Sequence, residues 1–205
     1  MRDDRELLDA WRAGDGDAGE ALFERYYRSV ACFFRSKAGE DAGDLLQRTF
    51  LTLVENRTRM REDSTFNCYL FGIARNVLYE YYRVSRRRRD RFEPETTSVE
   101  DLAPGASALL AQRQETQLLL QALRRIPVEL QIILELYYWE HMTAKEIADV
   151  LEMPEGTART RIRRAKRMLE EKLTEVAQSP ALLESTLSDL DSWAAQLRAA
   201  LKPTN

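Results

Sequence analysis

The sequence predicts an all-α protein: two small helical domains joined by a flexible linker, the second a helix-turn-helix, plus a C-terminal helix. Three observations predict this. Apolar residues recur at three- and four-residue spacing along nearly the whole chain, and no stretch reads as a strand. From 92 to about 112 that pattern gives way to Pro94, Pro104, Gly105, serines, threonines and the acids Glu93, Glu95, Glu100 and Asp101, which is linker composition. Residues 143–173 hold two short helical patterns split by Glu152-Met153-Pro154-Glu155-Gly156. Proline suits a helix start and pushes the residue before it away from the α region, so one helix stops near Leu151 and the next begins near Pro154. The expected boundaries are 1–92, 93–117 (linker), 118–173 and 174–205.

The elements follow in order. From 4 to 39, Leu7, Leu8 and Trp11 make a first apolar face, Gly14-Asp15-Gly16-Asp17 breaks it, and Ala21, Leu22, Tyr26, Val30, Phe33 and Phe34 make a second. A third helix runs from near Asp41 to about Glu55, with Leu45, Phe50, Leu51 and Val54 available for a core. Glu40, Asp41 and Asp44 suit the positive end of its dipole. Residues 57–64 are polar and aperiodic, hence a loop. Phe66, Tyr69, Leu70, Ile73, Ala74, Val77, Leu78 and Tyr81 mark a fourth helix. It runs into Arg83, Arg86, Arg87, Arg88, Arg89 and Arg91, more cations than a C-cap needs.

Periodicity resumes at Leu118 with Leu119, Leu120, Leu123 and Ile126. Pro127 interrupts it, and Leu130, Ile132, Ile133, Leu136 and Tyr137 lead into the helix-turn-helix. There, Ile147, Val150 and Leu151 share one face, and Ala158, Ile162, Ala165, Leu169 and Leu173 share another. The second helix carries Arg159, Arg161, Arg163, Arg164, Lys166, Arg167 and Lys172 against Glu170 and Glu171. Arg159, Arg163 and Arg167, spaced four apart, form a stripe opposite the apolar face, with Thr160 and Arg164 beside it. Such a helix fits a DNA major groove, where arginine pairs bidentately with guanine. In the tail, Ser179-Pro180 reads as an N-cap and first helical position. Leu183, Leu187, Leu190, Ala194, Leu197 and Leu201 follow a seven-residue repeat, with Trp193 beside the seam. A helix docked on the preceding domain and a regulatory or oligomerising helix both stay open.

Composition bounds the function. The chain has 205 residues and a net charge of −3, so DNA affinity must come from local patches, and a partner must supply the rest. Cys32 and Cys68 lack ligand spacing and read as buried thiols. The charged N-terminus resembles no signal peptide and no apolar run would span a bilayer, so a cytoplasmic location is expected. His141, the single histidine, has no nucleophile or carboxylate pattern around it. No P-loop, zinc spacing or glycine cradle is present. The expectation is therefore no enzyme, no metal and no cofactor.

At these residues the chain resembles a bacterial RNA polymerase sigma factor of the extracytoplasmic-function type, over about 7–173. Asp41-Ala42-Gly43-Asp44-Leu45-Leu46-Gln47-Arg48-Thr49-Phe50 resembles the family's core-binding helix. The resemblance implies docking on a helical hairpin of the largest polymerase subunit through Asp41, Asp44, Leu45, Gln47 and Phe50. The stretch 66–76, FNCYLFGIARN, resembles the promoter-melting region that captures a base flipped from the −10 element. The residues implied there are Met60, Arg61, Ser64, Thr65, Phe66, Ile73 and Asn76, with Arg83 and the basic run on phosphates. The helix-turn-helix resembles the −35 reader, implying DNA contact by Thr157, Arg159, Thr160, Arg163 and Arg164, with Arg167 on phosphate. The chain departs from the family pattern at Gly43 (usually glutamate), Met60 (often phenylalanine) and Glu152 (commonly glycine).

The resemblance implies core RNA polymerase and promoter DNA as partners. Restraint by an anti-sigma factor, by a kinase acting on a hydroxyl near the polymerase-binding surface, or by the tail stays open. The alternative is a stand-alone helix-turn-helix regulator binding DNA as a dimer. That would leave the 41–50 helix and the 66–76 constellation without a role.

Overall fold

Helices α1 (Asp4–Arg12), α2 (Gly16–Ala38), α3 (Ala42–Asn56) and α4 (Phe66–Arg86) form a first bundle in the computed structural model, which describes residues 2–60, 64–86, 92–102, 114–177, 179–188 and 192. A short α5 (Val99–Leu102) follows. Then α6 (Gln114–Arg124), α7 (Val128–Tyr138), α8 (Ala144–Leu151) and α9 (Glu155–Val176) form a second bundle, and α10 (Pro180–Ser188) begins the tail. Among the described residues no strand forms. One isolated backbone bridge joins Ser98 to Pro127.

Local chemistry sets the helix ends. Asp3 and Glu6 close a capping box on α1, and Asp15 caps α2 through the Ala18 amide. Gly39, at φ 57, turns the chain out of α2 into a 3-10 turn, Gly39–Asp41, which leads into α3. Thr65 caps α4 by accepting from the Cys68 amide. Thr143 and Glu146 close a second capping box on α8. At Gly19 a Cβ would lie 2.5 Å from the Trp11 indole nitrogen, so glycine is what lets α1 seat on α2.

The periodic residues are the buried ones in most helices. Leu7 and Leu8 of α1 are buried, as are Leu22, Val30, Phe33 and Phe34 of α2. In α9, Ala158, Ile162, Ala165, Leu169 and Leu173 are all buried. Helix α3 differs from the expectation. Its buried set is Ala42, Leu45, Leu46, Thr49, Phe50 and Leu53, while Leu51 and Val54 face solvent. Leu51 lies opposite the middle of that series, and Val54, four residues after Phe50, falls at its edge, so both reach solvent.

Two further differences matter for function. Residues 92–102 are anchored. Phe92 packs on Tyr79 and Tyr82 of α4, the Val128 amide donates to Thr97 O (2.9 Å), and the Glu129 amide donates to Pro94 O (3.0 Å). The remainder of the expected linker up to 113 lies outside the described residues. In addition the bundles pack on each other: α4 lies against α8, α2 meets α6, and one continuous core runs through both.

Deep in that joint Lys37 of α2 pairs with Glu135 of α7, both buried. Lys37 also donates to Phe33 O (2.7 Å) and Ser36 Oγ (3.0 Å). Glu135 accepts from Ser36 Oγ (3.0 Å) and Gln131 Nε2 (2.9 Å). Burial pushes the Lys37 ammonium down and the Glu135 carboxyl up, and each charge offsets part of the other's shift.

At the far end the tail helix begins as expected. Ser179 Oγ accepts from the Leu182 amide, and α10 packs on α6 and α9. Of the tail's repeat, Leu190, Ala194, Leu197 and Leu201, with Trp193, lie outside the described residues.

Candidate nucleic-acid and polymerase interfaces

Helix α9 presents its basic stripe to solvent because its apolar face is consumed by the core. Arg159, Thr160, Arg163, Arg164 and Arg167 are exposed, while Thr157, one turn into the helix, is half-buried. The stripe is partly paired along the helix: Arg159 with Glu155 (2.6 Å) and Arg167 with Glu171 (3.6 Å). Such exposed pairs contribute little and exchange readily for phosphate. The Thr160 hydroxyl donates to Gly156 O, which leaves its lone pairs outward. No ion pair of Arg163 or Arg164 is found among the described residues.

Two of the seven cations on α9 are committed elsewhere. Arg161 pairs with the buried Glu129 and with Glu95 (3.0 Å), tying α9 to α7 and to the anchored linker. Lys166 lies 3.9 Å from the Tyr137 ring centroid. Lys172 pairs with Glu175 (2.8 Å), so the exposed basic stripe consists of four arginines, Arg159, Arg163, Arg164 and Arg167.

Six of the eight expected −10 residues line two neighbouring cavities. Met60, Thr65 and Phe66 line one of about 520 Å³ beneath α1, with Arg5 and Arg12. Ile73 and Asn76 line another of about 360 Å³, whose opposite wall is Asp149, Val150 and Glu152 of the helix-turn-helix. Ser64 borders both. The loop is braced from α1. Arg12 donates to Arg57 O (3.0 Å) and Met60 O (3.2 Å). Phe66 is buried against Tyr26, at a centroid distance of 5.3 Å, so its ring packs in the bundle and does not face a base.

Asn76 is exposed, and its Oδ1 accepts from Arg75 Nε (3.1 Å) and Nη2 (2.8 Å). Arg83 is exposed beside Glu80 (3.4 Å). Arg61, the Arg86 side chain, Arg87 to Arg89 and Arg91 lie outside the described residues. Tyr69 and Tyr79 are packing residues. The Tyr69 hydroxyl donates to Asn56 O, and burial pushes the Tyr79 phenol up to about 12.

The polymerase-facing set also divides. Asp41, Asp44 and Gln47 are exposed, and Asp41 accepts from the Tyr81 hydroxyl (2.7 Å). Leu45 and Phe50 are buried in the bundle and are not available to a partner. Their place on the surface is taken by residues that the expectation did not single out for this role: Phe23 (42% exposed), Leu51 (57%) and Val54 (45%). Phe23 packs on Phe50 at a tilt, with ring centroids 4.3 Å apart, so the buried ring supports the exposed one. An apolar strip flanked by Asp44 and Gln47 suits a helical partner. Among the described residues no cluster of histidine, cysteine and carboxylate could hold a metal ion, and no helix is long and apolar enough to cross a membrane.

Comparison with known proteins matches two stretches of the chain to one family. A family model described as Sigma-70 region 2 matches 22–88, and one described as Sigma-70, region 4 matches 116–169. The ECF RNA polymerase sigma-E factor of Haemophilus influenzae is 27% identical over 179 residues, covering 83% of this chain and 95% of that relative. The protein of that name from Escherichia coli is also 27% identical, covering 83% and 94%. The solved structure of the sigma factor RpoE in complex with the anti-sigma factor NepR, from Bartonella quintana, matches with a TM-score of 0.58 at 19% identity, over 78% of this chain and 98% of that one. CnrH, solved in complex with the cytosolic domain of CnrY, matches at 0.56 and 23%, over 85% and 99%. The last two likenesses concern the fold. With both regions matched in chain order and whole-length relatives of one kind, this chain belongs to the extracytoplasmic-function sigma factors.

Proposed function

We infer that α9 reads the −35 element through Arg159, Thr160, Arg163 and Arg164, with Arg167 on phosphate and Thr157 at the helix start. The α4 face bearing Ile73 and Asn76 takes the −10 element. As a sigma factor the protein binds core RNA polymerase and directs promoter recognition and the start of transcription. It is not an enzyme. Polymerase docking uses Asp41, Asp44 and Gln47 together with Phe23, Leu51 and Val54. The observation that carries this reading is the pairing, in one chain, of an exposed arginine stripe on the second helix of a helix-turn-helix with an exposed apolar strip on α3. A stand-alone regulator has use for the first and not for the second.

The functional units follow the expected divisions, 1–92 for polymerase and −10 contact and 118–173 for −35 contact, and the site of action is the cytoplasm. An anti-sigma protein is a fitting restraint, since a structural neighbour was solved with one. Run-off transcription with purified core polymerase, with and without this protein, on a library of promoter fragments tests the reading. Protein-dependent initiation is expected, and the selected fragments give both recognition elements. Absence of initiation together with absence of a complex on a sizing column would return the chain to the stand-alone class.

A further inference from the structure

The α4 face that carries Asn76 packs on α8, where Cys68 Sγ contacts Glu146 O (3.7 Å) and Arg75 makes the strongest polar link to the other bundle. Arg75 is buried, its side chain 8% exposed, and its guanidinium points two ways. Within α4 it holds Asn76 Oδ1. Outward, Nη1 donates to Val150 O (2.6 Å) and Nη2 to Glu152 Oε1 (2.7 Å). Both outward partners sit at the end of α8 and in the turn before α9, so they leave together if the bundles part. The Asn76 contact, inside α4, stays.

A guanidinium left on the −10 face, still bracing the base-reading amide, has the geometry for a phosphate. Carboxylate and phosphate present the same oxygen fork to arginine. Glu152 is an unusual residue for its position. It ends α8 in the left-handed region, φ 54, where glycine would sit without strain. Its side chain is 74% exposed, so packing does not account for it. The contact with Arg75 does.

We propose that Arg75 binds a promoter phosphate beside Asn76, and that in the unbound protein Glu152 occupies that phosphate's place. The inference rests on the reading of the chain as a sigma factor. It adds a DNA-contact residue on α4 and a carboxylate that competes with DNA for it.

The test uses a fluorescent single-stranded oligonucleotide carrying the −10 element selected in the run-off assay, titrated at several salt concentrations against the full chain, alone and with core polymerase. The proposal has the bundles apart in the polymerase complex, so Glu152→Gly is expected to tighten binding by the free chain about ten-fold and binding by the complex much less. Arg75→Gln in the polymerase complex is expected to weaken binding several-fold and to lower the salt slope by about 0.7, the loss of one phosphate contact on a single strand. Arg75→Lys, which keeps the charge, restores the slope. Glu152→Gly combined with Arg75→Gln loses the ten-fold gain. Free-chain affinity unchanged by Glu152→Gly, or a polymerase complex whose affinity and slope are unchanged by Arg75→Gln, overturns the proposal. Circular dichroism of each variant separates loss of fold from loss of contact. If the unaltered chain fails to initiate with polymerase, the sigma reading itself falls. If it initiates and the arginine variants bind normally, only this inference falls.

Discussion

Lys37 and Glu135 are the two residues whose burial costs most, and they face each other across the joint between the bundles. Removing one partner leaves an uncompensated buried charge, while replacing both with apolar residues of similar size is often neutral. Lys37→Met or Glu135→Leu alone is therefore expected to cost about 3–5 kcal/mol, and the pair together far less. Urea unfolding of the two single variants and the double variant closes the cycle. Additive losses would show that the pair is not coupled. On α9, Arg163→Ala or Arg164→Ala is expected to cost about 1–3 kcal/mol and to relax preference at one base pair. Arg167→Ala is expected to weaken all sequences alike. Binding of a randomised −35 fragment pool to the polymerase complex distinguishes the two patterns. The arginine stripe could be read directly from the sequence because it sits opposite an unbroken apolar face. The commitments of Arg161 and Lys166 could not, since their partners Glu95, Glu129 and Tyr137 arrive from elsewhere in the chain.

Helices α8 and α9 were the most legible elements: proline and apolar spacing point to the same ends. Helix α3 was read in part: Leu45 and Phe50 are buried as expected, and Leu51 and Val54 are not. Leu51 and Val54 are apolar, and composition alone assigned them to a core, whereas the 42–53 series places them outward. A surface made of such residues has a consequence for binding. Leu51→Glu is expected to change folding stability by less than about 0.5 kcal/mol, because the side chain is exposed, and to weaken the polymerase complex at least ten-fold. Co-elution with core polymerase checks the second effect and thermal unfolding the first. Gly43, exposed in the first turn of α3 with open space around it, is expected to stabilise the chain by about 0.4–1 kcal/mol when replaced by alanine. Denaturant midpoints read this directly.

At the scale of the molecule, helix content, chain order and the two bundles were legible, because local periodicity determines them. Their packing on each other was not. It depends on a lysine at the step after Phe33 and Phe34 on α2 and a glutamate within the apolar run of α7, each of which reads locally as an interruption. The same joint buries phenols. Burial pushes Tyr82 well above the usual tyrosine range, and Tyr81, hydrogen-bonded to Asp41, up to about 12. A raised folded-state value contributes stability that is complete below the unfolded value, near pH 10, and is lost as pH rises through the folded one. Stability is therefore expected to fall from about pH 10 upward. Tyr82→Phe is expected to flatten that fall while costing about 1 kcal/mol at neutral pH, since the hydroxyl donates to Lys37 O. Chemical denaturation at a series of pH values measures both.

The hydrogen bonds from Val128 and Glu129 to Thr97 and Pro94 also act as a ruler. While they hold, the chain between Arg86 and Pro94 can stretch at most about 28 Å. Once these bonds and the pairs of Glu95 with Arg161 and Glu100 with Arg125 release, the tether runs to Gln114 and its limit rises to roughly 100 Å. A reader of two separated DNA elements made from this chain thus has two reaches, short and long. The change from one to the other is the release of 92–102 from the second bundle, which breaks the bonds to α7 and the ion pairs of Glu95 with Arg161 and Glu100 with Arg125.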